Sequence, residues 1–398
     1  MKKILISISL LIVALLANKF VIKPKINEYK FSKAMQEAEK IPDTYWDEKY
    51  SDMQIKDKYK VIYVVNNGGE YTYGKYFQYA ASKLGWEVKI YRDKITREDL
   101  KFDPDFILFS REVDGNLDME VLAHRSRKYL VLFSSLNTFK YYGKDVISNK
   151  PPFFPLKDFS TLLSLSHAVL TSAKELAMYQ TMFEKQKKTF NGFRMLSLAP
   201  KIDKEPAMPN KIMWVGTGWD DYRNSKDFIK FITLLAQNTE MKIYGKHNNL
   251  SFLPKGIYDG FIAPGIENIE AIHKNGIYLL TNSKWHFKTG EPGLRIFEAT
   301  AAGAVIISDK HPFAIENFGD SFLYFDQEAA PEEMYKQVKA HYDWIKKNPE
   351  EAKEKAARAH QIFLEKFTLE NDLIRIAKMH EYILKQEKEM ALNYPLAY

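Results

Sequence analysis

The sequence has no cysteine in 398 residues, which removes disulfides, thiolate metal sites and cysteine nucleophiles. The lack of disulfides leans towards a reducing compartment, although a chain of this size builds a core that needs no staples anywhere. A compact Lys/Arg block and a recognisable nucleic-acid motif are also missing, so DNA and RNA are not indicated as partners. Low-complexity segments and internal sequence repeats are absent as well. What charge there is leans positive: Lys plus Arg number 58 against 51 for Asp plus Glu, a formal net charge of +7 spread along the chain. Such a surplus suits a phosphate-bearing ligand or an anionic membrane surface.

Long apolar runs are scarce too. Residues 4–17 are uncharged and apolar, preceded by Lys2 and Lys3 and followed by Lys19 and a second patch, Phe20-Val21-Ile22. The first run alone is short for a span of about 20 residues, but it reaches that length if Lys19 snorkels and the second patch joins. A cleaved signal peptide is the competing reading. Cleavage after Ala17 would put bulky Leu15 where a small residue is wanted, which favours an uncleaved hydrophobic anchor over residues 1–22. Lys19, Lys23, Lys25, Lys30 and Lys33 outnumber the two N-terminal lysines, so the positive-inside tendency puts the bulk of the chain on the cytoplasmic side. The opposite orientation stays open. Residues 23–58 are charged and weakly periodic, and read as a juxtamembrane stalk or a packed helix.

A chain of this length exceeds what one core organises, so two domains with a cleft between them are expected. From residue 59 onward apolar runs recur: VIYVV (61–65), EVKIY (87–91), FILF (106–109), YLVLF (129–133) and AVLTS (168–172). Helical stretches separate several of them, as in YGKYFQYAASKLG (73–85) and KELAMYQTMFEKQ (174–186). Near-continuous Val, Ile, Leu and Phe alternating with helices is what a parallel sheet covered on both faces requires. Residues 59–200 therefore read as a Rossmann-like α/β domain. Residues 201–211, KIDKEPAMPNK, carry two prolines and no apolar period, and read as a linker. A second alternating unit follows over 212–365, with runs KIMWVG, MKIYG, YDGFI, IYLLT, AVIIS and FLYF, and the chain stays helical to about Met390, residues 366–398 forming a C-terminal helix.

One module concentrates polar chemistry. In SKWHFKTGEPGLRIFEATAAGAVIISD (283–309) the loop from Gly290 to Gly293 runs into a small-residue helix, so N–H groups at a helix N-terminus can face an anion. Glu291 and Glu298 flank that start, and Arg295 sits on the first helical turn. Gly303 lets the chain turn into the next strand. His286, between Trp285 and Phe287, reads as a packed histidine ahead of a catalytic one. Gly68 and Gly69, after the first strand, form a glycine pair that either terminates the strand or holds phosphate.

The order of these parts resembles the nucleotide-binding domain of GT-B glycosyltransferases, nearest the retaining type with a paired-glutamate motif in its C-terminal domain. The resemblance covers roughly residues 211–325. WVGTGWDDYRNSK matches a first strand ending in glycine (Gly216) and followed by a basic pair, Arg223 and Lys226. YDGFI matches a base-binding strand, with Gly260 and Phe261; LLTNS and FEATAAG complete the order. The resemblance implies two Rossmann-like domains facing across a cleft, the second binding a nucleotide-sugar donor and the first a glycan or lipid-linked acceptor. It implies that Gly216, Arg223, Lys226, Gly290, Gly293 and Arg295 contact the donor, with Gly260 and Phe261 at the base. Glu298 would bind the ribose hydroxyls as an ionised two-oxygen acceptor, Glu291 would face the sugar as the catalytic candidate, and Gly68 and Gly69 would line the acceptor side. No cofactor and no metal are expected, because oriented N–H groups and Arg or Lys stabilise a departing diphosphate. Two departures stand out. The glutamates are one residue closer than the family spacing, and YLVLF ends in SSLN without the family's histidine. These departures leave a catalytically inactive sugar-binding or scaffold subunit as one alternative, and a nucleotide-sugar epimerase of the same fold is another, which the anchor argues against.

Overall fold

The computed structural model describes residues 44–65, 70–92, 95–110, 128–133, 166–171, 187–216, 222–246, 256–263 and 265–393, with a few isolated positions besides. The expected anchor over residues 1–22, most of the segment 23–43, and Gly68 and Gly69 lie outside the described residues. Among the described residues, no helix is long and apolar enough to cross a membrane.

The first half holds helix α1 (Thr44–Tyr50), strand β1 (Lys60–Val65), helix α2 (Glu70–Lys83) and strands β2 (Glu87–Arg92), β3 (Phe106–Ser110), β4 (Lys128–Phe133), β5 (Ala168–Thr171) and β6 (Gly192–Arg194). All six strands are parallel, in the order β2-β1-β3-β4-β5-β6. Burial on both faces explains why β1 lacks polar alternation. Val61, Tyr63 and Val65 pack into the core that includes Tyr76, Phe77 and Ala80 of α2, while Ile62 and Val64 face Ile95, Leu100, Ile107 and Phe109. The helix α2 starts three residues before the expected 73–85 stretch. Gly74 lies inside it as a packing site, since a Cβ there would stand 3.2 Å from Ile90 Cγ2 on β2.

The second half holds β7 (Lys211–Val215), α3 (Lys226–Asn238), β8 (Met241–Tyr244), α4 (Ile266–Asn275), β9 (Gly276–Leu280), α5 (Lys284–Thr289), α6 (Leu294–Ala301), β10 (Val305–Asp309), α7 (Pro312–Phe318), β11 (Leu323–Phe325) and α8 (Pro331–Lys347). Its five strands are again parallel, in the order β11-β10-β9-β7-β8. Helix α3 shows why it sits where it does. Ser225 caps its N-terminus by accepting from Phe228 N, and Phe228, Phe231, Ile232 and Leu235 form a buried stripe at helical spacing.

One expected strand is absent. YDGFI makes a single bridge, Tyr244 to Gly260, rather than a strand. The Asp259 carboxylate accepts from Ile243 N at 2.7 Å and pairs with Lys242, and Gly260 adopts φ +122°, outside extended geometry. The segment expected as a linker is bound to the second domain. Ala207 N donates to Gly303 O, Asn210 N donates to Asn275 O, and the carbonyl of Met208 presses on Gly276.

Helix α9 (Pro349–Lys366) completes the second domain's cover, and α10 (Leu369–Asn393) returns to the first domain. Arg375 on α10 pairs with Asp47 and Asp372, donates to Arg194 O, and stacks 4.1 Å over the Phe193 ring. Glu381 accepts from Tyr59 OH at 2.7 Å, and Tyr382 meets Tyr50 edge-on at 5.3 Å. Helix α1 is clamped in the same place, with Lys49 donating to Phe190 O and Tyr50 OH bonded to Gly192.

Candidate functional site

In an open parallel sheet, ligands lodge at the carboxyl ends of the strands where the strand order reverses. That point in the second domain is β7, flanked by β8 on one side and β9 on the other. In the first domain it is β1, between β2 and β3.

The residues after β7 and β9 are tied together there. Trp214 Nε1 donates to Thr281 Oγ1 at 3.0 Å, and Arg223 reaches over from the loop before α3 to donate to Thr281 O at 2.9 Å. A Cβ on Gly216 would stand 2.1 Å from the Trp214 ring, and one on Gly245 would meet Gly216 O at 2.5 Å. Gly245 N in turn donates to Gly260 O. Gly216, Gly245 and Gly260 thus run as a line of close backbone contacts along the sheet's carboxyl edge, as residues without side chains permit.

On the other side of β7, Asn282 and Asp309 lock the ends of β9 and β10. Asn282 donates from both its backbone N and its side-chain Nδ2 to the Asp309 carboxylate. Asp309 is fully buried, and burial raises its carboxyl to about 6 against the pull of those donors and of Arg223. Next to it, Ser283 and His286 form a capping box on α5: Ser283 Oγ accepts from His286 N, and His286 Nδ1 accepts from Ser283 N. Burial, then Arg223 and His311, push His286 down to about 3, so its ring is neutral. His311 accepts from Phe313 N through Nδ1, and its Nε2 donates to His286 O. Both histidines are structural pins, in line with a packed role for His286.

The loop from Gly290 to Gly293 joins α5 to α6. Gly290 ends α5 at φ +64°, a left-handed position suited to glycine, and Gly293 is the N-cap of α6, with no side-chain cap bond there. A Cβ on Gly293 would lie 3.1 Å from Asn282 Oδ1, so the loop leans on the Asn282–Asp309 lock. Glu291 is buried within this loop.

Glu298 lies in the second turn of α6 and is wholly buried. Its Oε2 accepts from Arg295 Nη1 at 2.5 Å and its Oε1 accepts from Tyr76 OH, on α2 of the first domain, at 2.7 Å. The structure therefore brings Arg223, Gly216, Gly260, Gly293, Arg295 and Glu298 to one edge of the sheet or its adjoining helix. Lys226 and Phe261 stand exposed, at the first turn of α3 and just past Gly260. Sequence reasoning missed Tyr76, Asn282 and Asp309. Asn282 and Asp309 left local traces, as the polar ends of the apolar runs LLTNS and VIISD. Among the described residues, no group of three or more His, Asp or Glu side chains is gathered to hold a metal ion.

Residues 211–378, the segment that builds this edge, match a family model described as glycosyl transferase-like. The match lies within the second half of the chain. The chain thus carries a glycosyltransferase domain, and its two parallel sheets have the α/β layout expected of a GT-B enzyme. No curated protein matches the chain in sequence. Among solved structures, a sucrose-phosphate synthase from Thermosynechococcus elongatus aligns with TM-score 0.49 at 12% identity, covering 84% of this chain and 100% of its own. A glycosyltransferase from Rickettsia africae aligns at 0.48 and 13%, covering 83% and 100%. The T4 phage enzyme BGT, solved with UDP-glucose, aligns at 0.47 and 14%, covering 82% and 98%.

Proposed function

We propose that this glycosyltransferase moves a sugar from a nucleotide-sugar donor, bound at the carboxyl edge of β7 and β9, to a glycan or lipid-linked acceptor held by the first domain. The observation that carries this reading is the family match over residues 211–378, because that segment contains the whole polar edge. A nucleoside diphosphate gathers negative charge as it leaves the sugar. In this reading Arg223, Lys226 and the N-terminus of α6 stabilise that charge, and burial of the surrounding edge strengthens their effect. Gly216 and Gly293 let backbone come close to the phosphates, Gly260 and Phe261 border the base, and Glu298 accepts from the ribose. Arg295 serves by holding Glu298, and Glu291 faces the sugar. Gly68 and Gly69 line the acceptor side of the cleft. An anchor over residues 1–22 would hold the enzyme beside a lipid-linked or surface-glycan acceptor, with the catalytic domains on the cytoplasmic side.

The test is a thermal-shift screen over UDP-, GDP-, ADP- and CMP-sugars, followed by product analysis with acceptor candidates. A ligand that binds only the folded state raises its stability by mass action. One nucleotide class should shift the melting temperature, and free nucleoside diphosphate should accumulate only when acceptor is added. An isomerised donor, or a folded protein that no nucleotide sugar stabilises, overturns the reading.

A further inference from the structure

Glu298 is the acceptor that the donor reading gives to the ribose, yet in this structure it has no exposed surface and both oxygens are engaged. One partner is local: Arg295 lies three positions before it on the same helix. The other comes from the opposite domain, 222 positions away in sequence. Tyr76 is itself fully buried, and its oxygen lies 3.1 Å from Gly265 O as well as 2.7 Å from Glu298 Oε1. A phenol has one proton to give. The anionic carboxylate, nearer and more basic than the Gly265 carbonyl, takes it, which makes this a charge-assisted bond between domains. Burial and then the charge of Glu298 hold the Tyr76 hydroxyl well above its usual range, so it stays a donor.

A ribose offers Glu298 the same chemistry as Tyr76: a neutral hydroxyl donating to a carboxylate oxygen. Because Glu298 has no exposed surface and Tyr76 OH sits on Oε1, a ribose hydroxyl reaches that oxygen only by displacing the phenol. We propose that Tyr76 is an internal competitor for the donor, its hydroxyl occupying the place on Glu298 that a ribose hydroxyl takes, so that nucleotide entry exchanges an interdomain hydrogen bond for a ligand bond. This rests on the assignment of Glu298 to the ribose. The exchange has an energetic consequence. A ligand that binds only the state with Glu298 released has its apparent affinity reduced by the fraction of molecules in that state. Removing the phenolic hydroxyl removes that penalty and leaves a buried carboxylate oxygen in need of a donor. Tyr76→Phe therefore tightens nucleotide binding even as it weakens the unliganded fold, a combination that a purely structural tyrosine would not produce.

The experiment is isothermal titration of the full chain with UDP, GDP and ADP, comparing wild type, Tyr76→Phe and Glu298→Gln. For the nucleotide that binds, Tyr76→Phe should gain about three- to tenfold in affinity, the range of one net hydrogen bond. The gain should vanish with the 2′,3′-dideoxy form of that nucleotide, which has no hydroxyl to replace the phenol. Unchanged or weaker binding by folded Tyr76→Phe overturns the exchange, as does a gain that persists with the dideoxy nucleotide. Glu298→Gln with undiminished affinity overturns the ribose assignment itself, which separates the two failures. If Tyr76→Phe does not fold, 3-fluorotyrosine at position 76 supplies the answer by fluorine NMR. Its resonance should move on nucleotide saturation, and an unmoved resonance refutes the proposal.

Discussion

Replacing Asp309 by Asn should change how the stability of the protein depends on pH. Asp309 ends β10 with no exposed surface, and burial raises its carboxyl from 3.8 to about 6 although Asn282 donates to it twice. In the unfolded chain the group loses its proton near pH 4, while the folded protein keeps it to about pH 6. Protonation therefore favours folding. That contribution is fully present below pH 4 and is lost as pH rises through 6. A rise of about two units corresponds to about 3 kcal/mol over the whole window, at about 1.4 kcal/mol per unit. Between about pH 5 and pH 8 the part lost is about 1.4 kcal/mol. Asn at 309 keeps an oxygen for Asn282 N and carries no titrating proton. Urea denaturation of both proteins across this range should give a stability difference that shifts towards the variant by about that amount as pH rises. Asp372, also raised to about 6 by burial, is common to both proteins and cancels in the difference. A difference that stays flat from pH 5 to 8, or runs the other way, refutes the assignment of a buried, reluctantly ionised carboxylate.

Two further substitutions probe how the domains are held. Gly276→Ala should destabilise by about 3 kcal/mol or more in urea titration, because φ is +77° there and a Cβ would stand 2.1 Å from Met208 O, backbone that cannot swing away. Arg375→Ala should cost about 3 kcal/mol by leaving Asp372 buried without its partner, and limited proteolysis should then cut near α10 before the rest of the chain.

Much of the architecture was legible because parallel sheets bury both faces, so β1, β7, β9 and β10 are spelled as apolar runs with little alternation. Helix α3 announced itself by its apolar stripe and its serine cap. The YDGFI segment misled because its composition suits a strand. What prevents one is Asp259, whose carboxylate bonds the Ile243 N–H, and the φ of Gly260. Helix α2 was placed three residues late, at Tyr73, and the Gly74 inside it lets the helix lie close against Ile90. At the site, the glycine loop and Glu298 stood out through local spacing. The partner of Glu298 did not, since no local pattern encodes a contact between Tyr76 and a residue in another domain. The Asn282–Asp309 lock joins two neighbouring strand ends, and strand order is a tertiary fact.

The return of α10 to the first domain bears on how the chain is made. Arg375 reaches Asp47 and Glu381 reaches Tyr59 across 328 and 322 positions. The first domain, although synthesised first, lacks one wall until α10 has left the ribosome. The second domain has all its strands between residues 211 and 325 and can close earlier. Nascent chains should therefore acquire structure in the reverse of their coding order, the first domain waiting on contacts of long sequence separation, which form slowly because the intervening loop must close before they are rewarded. Truncation from the C-terminus would then damage the half of the protein farthest from it in sequence.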